Sequence, residues 1–331
     1  MKQVLKIKFV DFWNGFHSTE NYFFNLLSLN YEVEISDTPQ MLIYSCYGKE
    51  YLKYNCTKLF YTAENLRPDF TGCDYAITFD YNNDIRHFRL PLYAIYMDNE
   101  TSQLQMQRNY TKEEALDIWK SKTKFCCMVV SNGQSKKRLD FFNKLSKYKK
   151  VDSGGKVMNN VGGPVKDKME FIKDYRFVIA YENASNAGYT TEKLIEPFLT
   201  NSIPIYWGNP LVTKDFNEAS FINLNTSKTE EDLIKEIIAI DNDEQKAVEM
   251  LMQPKFLNGI VPNDISKERL SLFFDMVVNE SYNKIPVSKT WKNKIHLVKI
   301  YFLHVNSIKI FYYAKIKNYF SNLFHAKPSV E

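Results

Sequence analysis

The chain has 331 residues, of which 44% are hydrophobic, 15% aromatic and 25% charged. This length and composition exclude a single minimal domain, a disordered chain and a collagen-like protein, and they suit two ordinary domains. The formal net charge is +4, but residues 284–331 hold nine lysines and one acidic residue, so the rest of the chain is net acidic. The five cysteines have no metal-binding spacing, and we expect them to be reduced thiols.

Short apolar runs alternate with polar or helical segments in the first third of the chain. Strands are predicted in LKIKFVDFW, EVEIS, MLIYSCY, KLFYTAEN and DYAITFDY, and a helix in STENYFFNLLSLN. No apolar run is long enough to span a membrane, and the first one lacks a signal-peptide cleavage site, so we expect a cytoplasmic protein. We interpret residues 1–120 as a first α/β domain that ends in a helical connection.

A second series of strands and helices covers residues 121–283. Strands are predicted in FCCMVVSN, VDSGG, RFVIAYEN, IPIYWG and FINLN, and they alternate with helical segments such as TTEKLIEPFLTN. This alternation predicts a parallel sheet with helices on both faces, whose ligands bind beyond the carboxyl ends of the strands. The predicted fold class is therefore α/β, with two Rossmann-like domains facing a cleft and a helical tail.

Residues 177–210 contain the most informative stretch, FVIAYENASNAGYTTEKLIEPFLTNSIPIYWGNP. A strand is followed by polar residues, among them Asn183, and then by Gly188, which permits a tight turn. A helix is expected to begin near Thr190. The amino terminus of a helix binds anions through its free N–H groups and its dipole.

Three residues are predicted in the first turn of that helix: Tyr189, Glu192 and Lys193. A lysine there strengthens a diphosphate site, and a glutamate can accept hydrogen bonds from a ribose diol. Each residue taken alone is better explained by a structural role. The residues by themselves therefore indicate a nucleotide-like site and no particular sugar.

The same stretch resembles the signature of the α-1,3/4-fucosyltransferases of glycosyltransferase family 10. The matching motifs are YEN at 181–183, YTTEK at 189–193 and PIYWG at 204–208. Ala184 departs from the family, which commonly has Ser at that place. FYTAEN at 60–65 and Ser131-Asn132 with the later Arg138 extend the resemblance, which covers roughly residues 55–280.

This resemblance implies a GT-B fold, with the nucleotide-sugar bound by the C-terminal domain and the acceptor by the N-terminal one. It implies that Arg138 and Lys193 neutralise the diphosphate of GDP-fucose. Glu192 would bind the ribose, and Asn183 and Tyr189 would line the donor site.

The resemblance also implies inverting transfer of L-fucose from GDP-β-L-fucose to an acceptor hydroxyl, with Glu64 as the general base. Cationic side chains would take the place of a metal at the diphosphate, so no cofactor or metal site is expected. Asp241-Asn242-Asp243 has the letters of a metal-binding Asp-x-Asp motif, but it lies between two helical segments and is interpreted as a turn. The expected acceptor is N-acetylglucosamine in a lactosamine-type unit of a bacterial surface glycan such as lipopolysaccharide. The linkage is expected to be α-1,3, with α-1,4 left open.

The basic tail, residues 284–331, has the pattern of an amphipathic helix. Its apolar stripe consists of Val298, Phe302, Val305, Ile308, Tyr312, Ile316, Tyr319 and Leu323. We expect it to dock on the anionic inner face of the cytoplasmic membrane. The alternative is that the stripe packs back onto the enzyme.

Two other functions stay open at this stage. One is a transferase of the same fold that uses another nucleotide-activated deoxyhexose. The other is a non-catalytic protein that binds membranes or polyanions. The chain has no recognisable nucleic-acid-binding module, so no nucleic-acid partner is expected.

Overall fold

The structure is a computed structural model that describes residues 2–224, 228–303 and residue 306. The chain forms two compact units. The first consists of the described residues of Met1–Tyr61, Pro68–Ala76 and Asp275–Glu331, and the second of those of Thr62–Arg67 and Ile77–Phe274. This division into compact units does not test the predicted domain boundaries at residues 120 and 283, which stay a prediction.

The first sheet begins in the first unit. Its elements are β1 (Gln3–Val10), α1 (Tyr22–Asn30), β2 (Tyr31–Ile35), β3 (Met41–Tyr44), β4 (Thr57–Tyr61), β5 (Tyr75–Thr78) and β6 (His87–Arg89). The strand order is β2-β1-β3-β4-β5-β6, and the pairs β1/β2, β1/β3 and β3/β4 are parallel. β5 begins in the first unit and ends in the second.

The strands of this sheet differ in burial. β3, β4 and β5 are buried at every residue, because neighbouring strands and packed layers cover them. β2, an edge strand, is mostly exposed, whereas β6 at the opposite edge is buried. β6 was not predicted from the sequence.

The second sheet lies entirely in the second unit. Its strands are β7 (Lys124–Met128), β8 (Val151–Ser153), β9 (Tyr175–Tyr181), β10 (Ile203–Trp207) and β11 (Ile222–Asn223), in the order β11-β10-β9-β7-β8. All four strand pairs are parallel, as the sequence predicts. Cys126 of β7 pairs with Phe177 of β9, and both side chains lie in the core.

Helices accompany both sheets along the chain. They are α2 (Leu92–Tyr96), α3 (Glu100–Gln107), α4 (Lys112–Ser121), α5 (Lys136–Leu145), α6 (Lys168–Ile172), α7 (Glu192–Leu199), α8 (Glu230–Asp241), α9 (Glu244–Leu251) and α10 (Lys267–Asn283). Thr111 and Thr229 form capping boxes at the starts of α4 and α8. These local signals explain why the helices were recognisable from the sequence.

The interpretation of the Asp-x-Asp letters as a turn is confirmed. Asp241 ends α8, Asn242 is its C-cap, and Asp243 caps α9, so the Asp-x-Asp letters form a turn between helices. All five cysteines are free thiols. Within the described part of the chain, the helices are too short or too polar to cross a membrane.

The described part of the basic tail packs on the first unit. Residues 291–303 are helical. The His296 ring lies between two partners, with Nε2 2.8 Å from Tyr51 Oη and Nδ1 3.2 Å from Asp69. Lys299 pairs with the same Asp69 at 3.0 Å. Val298 and Phe302 of the predicted stripe are exposed, and the stripe from Val305 onward lies outside the described residues.

Candidate active site

The loop between β9 and α7 is held in place by the residues that follow β10. Gly188 has a φ of +84°, and a Cβ there would clash with the carbonyl oxygen of Phe79, so glycine is required. The Gly188 N–H donates to Asn209 Oδ1 at 2.8 Å, and Asn209 Nδ2 donates to Thr190 Oγ1 at 3.0 Å. Loop and strand end therefore form one hydrogen-bonded unit.

The helix after this loop starts later than predicted. Thr191 is its N-cap, with an extended backbone and a side chain that accepts from Lys193 N, so α7 begins at Glu192. Tyr189 therefore precedes the helix, and its predicted place in the first turn is wrong. It is buried, with its ring edge against Phe79 at a centroid distance of 5.0 Å.

Glu182 is the principal site residue that the sequence reasoning did not single out. It is 0% exposed, at the end of β9. Its Oε1 accepts from the Thr191 N–H at 2.7 Å, and its Oε2 accepts from Thr191 Oγ1 at 2.8 Å. Its Oε2 also lies 3.3 Å from Lys193 Nζ. Its place in the YEN motif was the available signal.

The Lys193 ammonium is surrounded by oxygen atoms at the amino terminus of α7. Its Nζ lies 3.0 Å from Thr191 Oγ1, 3.1 Å from Glu192 Oε1 and 3.3 Å from Glu182 Oε2, and its side chain is 15% exposed. Burial works to lower its pKa, but Glu182 and Glu192 outweigh burial and hold the pKa above its ordinary value. A charged ammonium is thus fixed where a helix favours anions.

The two carboxyl groups beside Lys193 differ in their electrostatics. Burial raises the pKa of Glu182, although Lys193 opposes this effect. Burial also acts to raise the pKa of Glu192, but Lys193 and Lys168 outweigh it and the pKa lies below its ordinary value. Glu192 is also the more accessible of the two, with 18% of its side chain exposed against 0% for Glu182.

Arg138 of α5 lies beneath the same loop and is 1% exposed. Its Nε and Nη2 donate to the Tyr181 carbonyl at 3.0 and 2.7 Å, and Nη2 also donates to Asn183 Oδ1 at 2.7 Å. The structure thus brings together Arg138 and Asn183, two of the residues proposed for the donor site. The guanidinium faces protein oxygens, so it orients Asn183 and places a positive charge beneath the loop.

Glu64 lies in the segment 62–67, which belongs to the second unit with the residues above. The segment starts at buried Thr62, whose Oγ1 accepts from the Glu64 N–H at 3.0 Å, while Glu64 itself is exposed. Burial raises the pKa of Tyr189, and the charges of Glu182 and Glu64 raise it further. The Glu64 charge therefore acts on Tyr189, which lies in the loop between β9 and α7 (the donor loop, residues 182–191).

The site contains charged side chains, but its described residues form no recognisable metal-binding cluster. Within the described ranges, no group of three or more His, Cys, Asp and Glu side chains has the geometry to hold a metal ion. Cationic groups at Lys193 and Arg138, an ionised Glu192 and an exposed Glu64 lie on one unit. Such a set can bind an anionic leaving group and accept a proton.

Comparison with known proteins identifies the family. Residues 7–96 match the profile of the alpha-(1,3)-fucosyltransferase FucT N-terminal domain, and residues 119–252 that of glycosyltransferase family 10 (fucosyltransferase), C-terminal part. Together the two profiles match about two thirds of the chain.

Individual relatives agree with the profiles. An alpha-(1,3)-fucosyltransferase FucT of Helicobacter pylori is 31% identical over 289 residues, which are 75% of this chain and 60% of the relative. Alpha-(1,3)-fucosyltransferase B of Drosophila melanogaster is 26% identical over half of this chain. The chain spans 60% of the length of the first relative and 33% of the second.

Solved structures of α1,3-fucosyltransferases have the same fold. One, crystallised with GDP-fucose, is 27% identical with a TM-score of 0.72, covering 84% of this chain and 91% of that one. Another is 26% identical with a TM-score of 0.74, covering 86% and 93%. The predicted two-domain α/β fold of the GT-B class is confirmed. On the two profiles and these structures, the chain belongs to glycosyltransferase family 10, the fucosyltransferases.

Proposed function

We propose that this protein transfers L-fucose from GDP-β-L-fucose to a hydroxyl of an acceptor glycan, with inversion at the anomeric carbon. The observation that carries the proposal is the Glu182–Thr191–Lys193 network, which fixes a charged ammonium at the amino terminus of α7. Support also comes from the similarity to an α1,3-fucosyltransferase crystallised with GDP-fucose.

In the proposed reaction the acceptor oxygen attacks the anomeric carbon of fucose. The bond from that carbon to the β-phosphate oxygen breaks, and its electron pair leaves with GDP. The acceptor proton passes to the Glu64 carboxylate, which is exposed and can meet an acceptor from solvent. The glycosidic C–O bond and a carboxyl O–H bond form, the C–O bond to the phosphate and the hydroxyl O–H bond break, and no oxidant or reductant is needed.

Charge on the departing diphosphate is stabilised by Lys193 and, from beneath the loop, by Arg138. Lys193 has its ammonium at the helix terminus, so it is proposed as the direct phosphate ligand. Arg138 holds Asn183 toward the donor and adds positive charge. Glu192 accepts from the ribose, and Tyr189 lines the donor site. We propose that these groups remove the need for a metal ion.

The assignment of the base is tested with Glu64→Gln, which removes the proton acceptor and nearly keeps the shape. The turnover number is expected to fall by at least ~10²-fold, while GDP binding stays unchanged because Glu64 is not a phosphate ligand. Glu113→Gln is the matched control, since it alters an exposed glutamate on α4. Near-normal turnover of the Glu64 variant would show that the base lies elsewhere.

The identity of the donor sugar requires its own measurement. A panel of nucleotide-sugars, with product detection, separates GDP-fucose from other activated deoxyhexoses. GDP should also raise the unfolding midpoint, because a ligand that binds only the folded state stabilises it. A non-catalytic membrane- or polyanion-binding protein predicts no such stabilisation and no product.

For the acceptor we propose N-acetylglucosamine in a lactosamine-type unit, linked α-1,3. This assignment rests on the family resemblance and on the α-(1,3) description of the relatives. We further propose that the natural acceptor belongs to a bacterial surface glycan assembled on a lipid carrier. Linkage analysis of the product decides between α-1,3 and α-1,4.

We also propose that the helix at residues 291–303 docks the enzyme on an anionic membrane surface, the inner face of the cytoplasmic membrane. One face of this helix packs on the enzyme, because His296 contacts Tyr51 and Asp69. Another face exposes Trp291, Val298, Tyr301 and Phe302. Exposed lysines flank it, and residues 284–303 contain no acidic residue, so the charge complements anionic headgroups.

Vesicle co-sedimentation of the full chain tests this docking. The protein should bind phosphatidylglycerol vesicles at low salt and not phosphatidylcholine vesicles. Changing Trp291, Tyr301 and Phe302 together to Ser should abolish binding without affecting transfer to a free oligosaccharide. Leu104→Ser, an exposed apolar residue on α3, is the control. Full-length protein that ignores anionic vesicles would contradict the docking.

A further inference from the structure

Arg67 ends the short segment that carries Glu64. The beginning of this segment is tied to β5, since the Thr62 N–H donates to the Ile77 carbonyl at 3.3 Å. The Glu64 N–H then donates to Thr62 Oγ1 at 3.0 Å. The position of Glu64 depends equally on what holds the other end of the segment, three residues further on.

That other end is held by the Arg67 side chain. Its Nε lies 2.6 Å from Asp80 Oδ1, and its guanidinium lies over the Phe79 ring, 4.5 Å from the centroid. Asp80 is a firm anchor, because its side chain is only 12% exposed and its Oδ2 accepts from Thr78 Oγ1 at 3.1 Å. Arg67 thus combines an ion pair with a cation–π contact.

Phe79 connects this anchor to the donor loop. Its ring packs against the Tyr189 ring with the two centroids 5.0 Å apart, and its carbonyl oxygen closes the space beside Gly188. Arg67 therefore stacks on a residue that also supports the loop leading into α7. Phe79 therefore contacts both Arg67, at the end of the segment that carries Glu64, and the loop that carries the proposed GDP-fucose ligands.

We propose that Arg67 is a positioning residue for the transfer step. Through Asp80 and Phe79 it holds the Glu64 segment at a constant distance from the donor loop, so that the carboxylate meets the attacking hydroxyl. This inference rests on the proposed role of Glu64 as the base. Arg67 acts through its neighbours and is not itself given a role in bond making. Small displacements of a reacting group are costly in rate, which makes such a support consequential.

The test compares Arg67→Met, Arg67→Lys and a control in the full chain. Met keeps the aliphatic stem and removes the charge, and the half-exposed position tolerates it. We expect Arg67→Met to lower kcat about tenfold with the KM for GDP-fucose nearly unchanged. Lys restores the ion pair without the flat stacking group, so its kcat should be intermediate. Arg86→Met, which breaks an Arg–Asp pair of the same 2.6 Å length in the same unit, should match the wild type.

A second measurement repeats Arg67→Met in a Glu64→Gln background. If Arg67 acts through Glu64, it should add little to the loss already caused there. A tenfold loss in both backgrounds, or a wild-type kcat for Arg67→Met, overturns the inference. Normal turnover of Glu64→Gln alone would instead remove the proposed base, so the two failures are distinguishable. A kcat loss that merely follows the unfolded fraction in a thermal melt also overturns it.

Discussion

Glu182→Gln is the most informative single change in the proposed donor site. Glu182 Oε1 accepts from the Thr191 N–H, and a glutamine oxygen can keep this bond. Its Oε2 accepts from Thr191 Oγ1 at 2.8 Å and lies 3.3 Å from Lys193 Nζ. The Thr191 hydroxyl can accept from a glutamine NH₂ at that place, but the Lys193 ammonium is another donor, so the variant loses the charge and the pairing with Lys193.

The size of the effect follows from the geometry. Two unit charges 3.3 Å apart attract by about 5 kcal/mol at an effective dielectric constant of about 20. The cost of burying the Glu182 carboxylate offsets part of this, and Lys193 keeps a second partner in Glu192 at 3.1 Å. We therefore expect Glu182→Gln to lower the free energy of unfolding by about 2–3 kcal/mol.

Urea unfolding of the purified variant measures this difference. Glu236→Gln is the matched control, because Glu236 forms an ion pair with Lys228 at 2.7 Å on the surface. Such exposed pairs contribute about 0–1 kcal/mol. If Glu182→Gln lost no more stability than the control, the buried network would not be what holds Lys193 in place.

Four further outcomes are expected. Lys193→Met should weaken GDP binding by roughly tenfold to a hundredfold, measured by titration of the folded protein, because one charge-assisted contact is lost; unchanged affinity would remove the phosphate assignment. Transfer should survive EDTA; activity that vanishes and returns only with Mn²⁺ would contradict the metal-free mechanism. Burial lowers the pKa of His87 from 6.5 to about 4, so the stability that the neutral ring contributes is complete above pH 6.5 and is lost as the pH falls toward 4. This loss amounts to about 3 kcal/mol of unfolding free energy. His87→Gln should therefore flatten the plot of unfolding free energy against pH between pH 6.5 and 4, relative to the wild type. His296→Ala should lower the free energy of unfolding by about 1–3 kcal/mol, because the hydrogen bonds of the ring to Tyr51 and Asp69 are lost. His17→Ala, at an exposed position, should change it by almost nothing.

Most of the fold was predictable because its signals are local. Apolar runs gave the strands of the parallel sheets, and caps such as Thr111 and Thr229 marked helix starts. β6 was missed because three residues are too short for a periodic pattern. β2 lies at one edge of the sheet and is mostly exposed, which its own letters do not indicate.

The sequence motifs name candidate members of the proposed site, but they do not give its geometry. The YEN and YTTEK motifs led to Asn183, Tyr189, Glu192 and Lys193, but the burial of Glu182 depends on the packing of the loop against β10. Isolated from that packing, a glutamate is expected at the surface. The bonds from the Arg138 guanidinium to the end of β9 are likewise tertiary. Both features decide how Lys193 and Asn183 are presented, and neither has a periodic signature in the sequence.

The most direct test of the central claim is the structure of the product formed from GDP-β-L-fucose and N-acetyllactosamine. The purified chain is incubated with both in the presence of EDTA, and the anomeric configuration and linkage are read by NMR. The proposed mechanism predicts fucose joined through an α bond to the N-acetylglucosamine ring, with GDP released in equal amount. A β-linked product, or no transfer from GDP-fucose while another nucleotide-sugar is consumed, would contradict it.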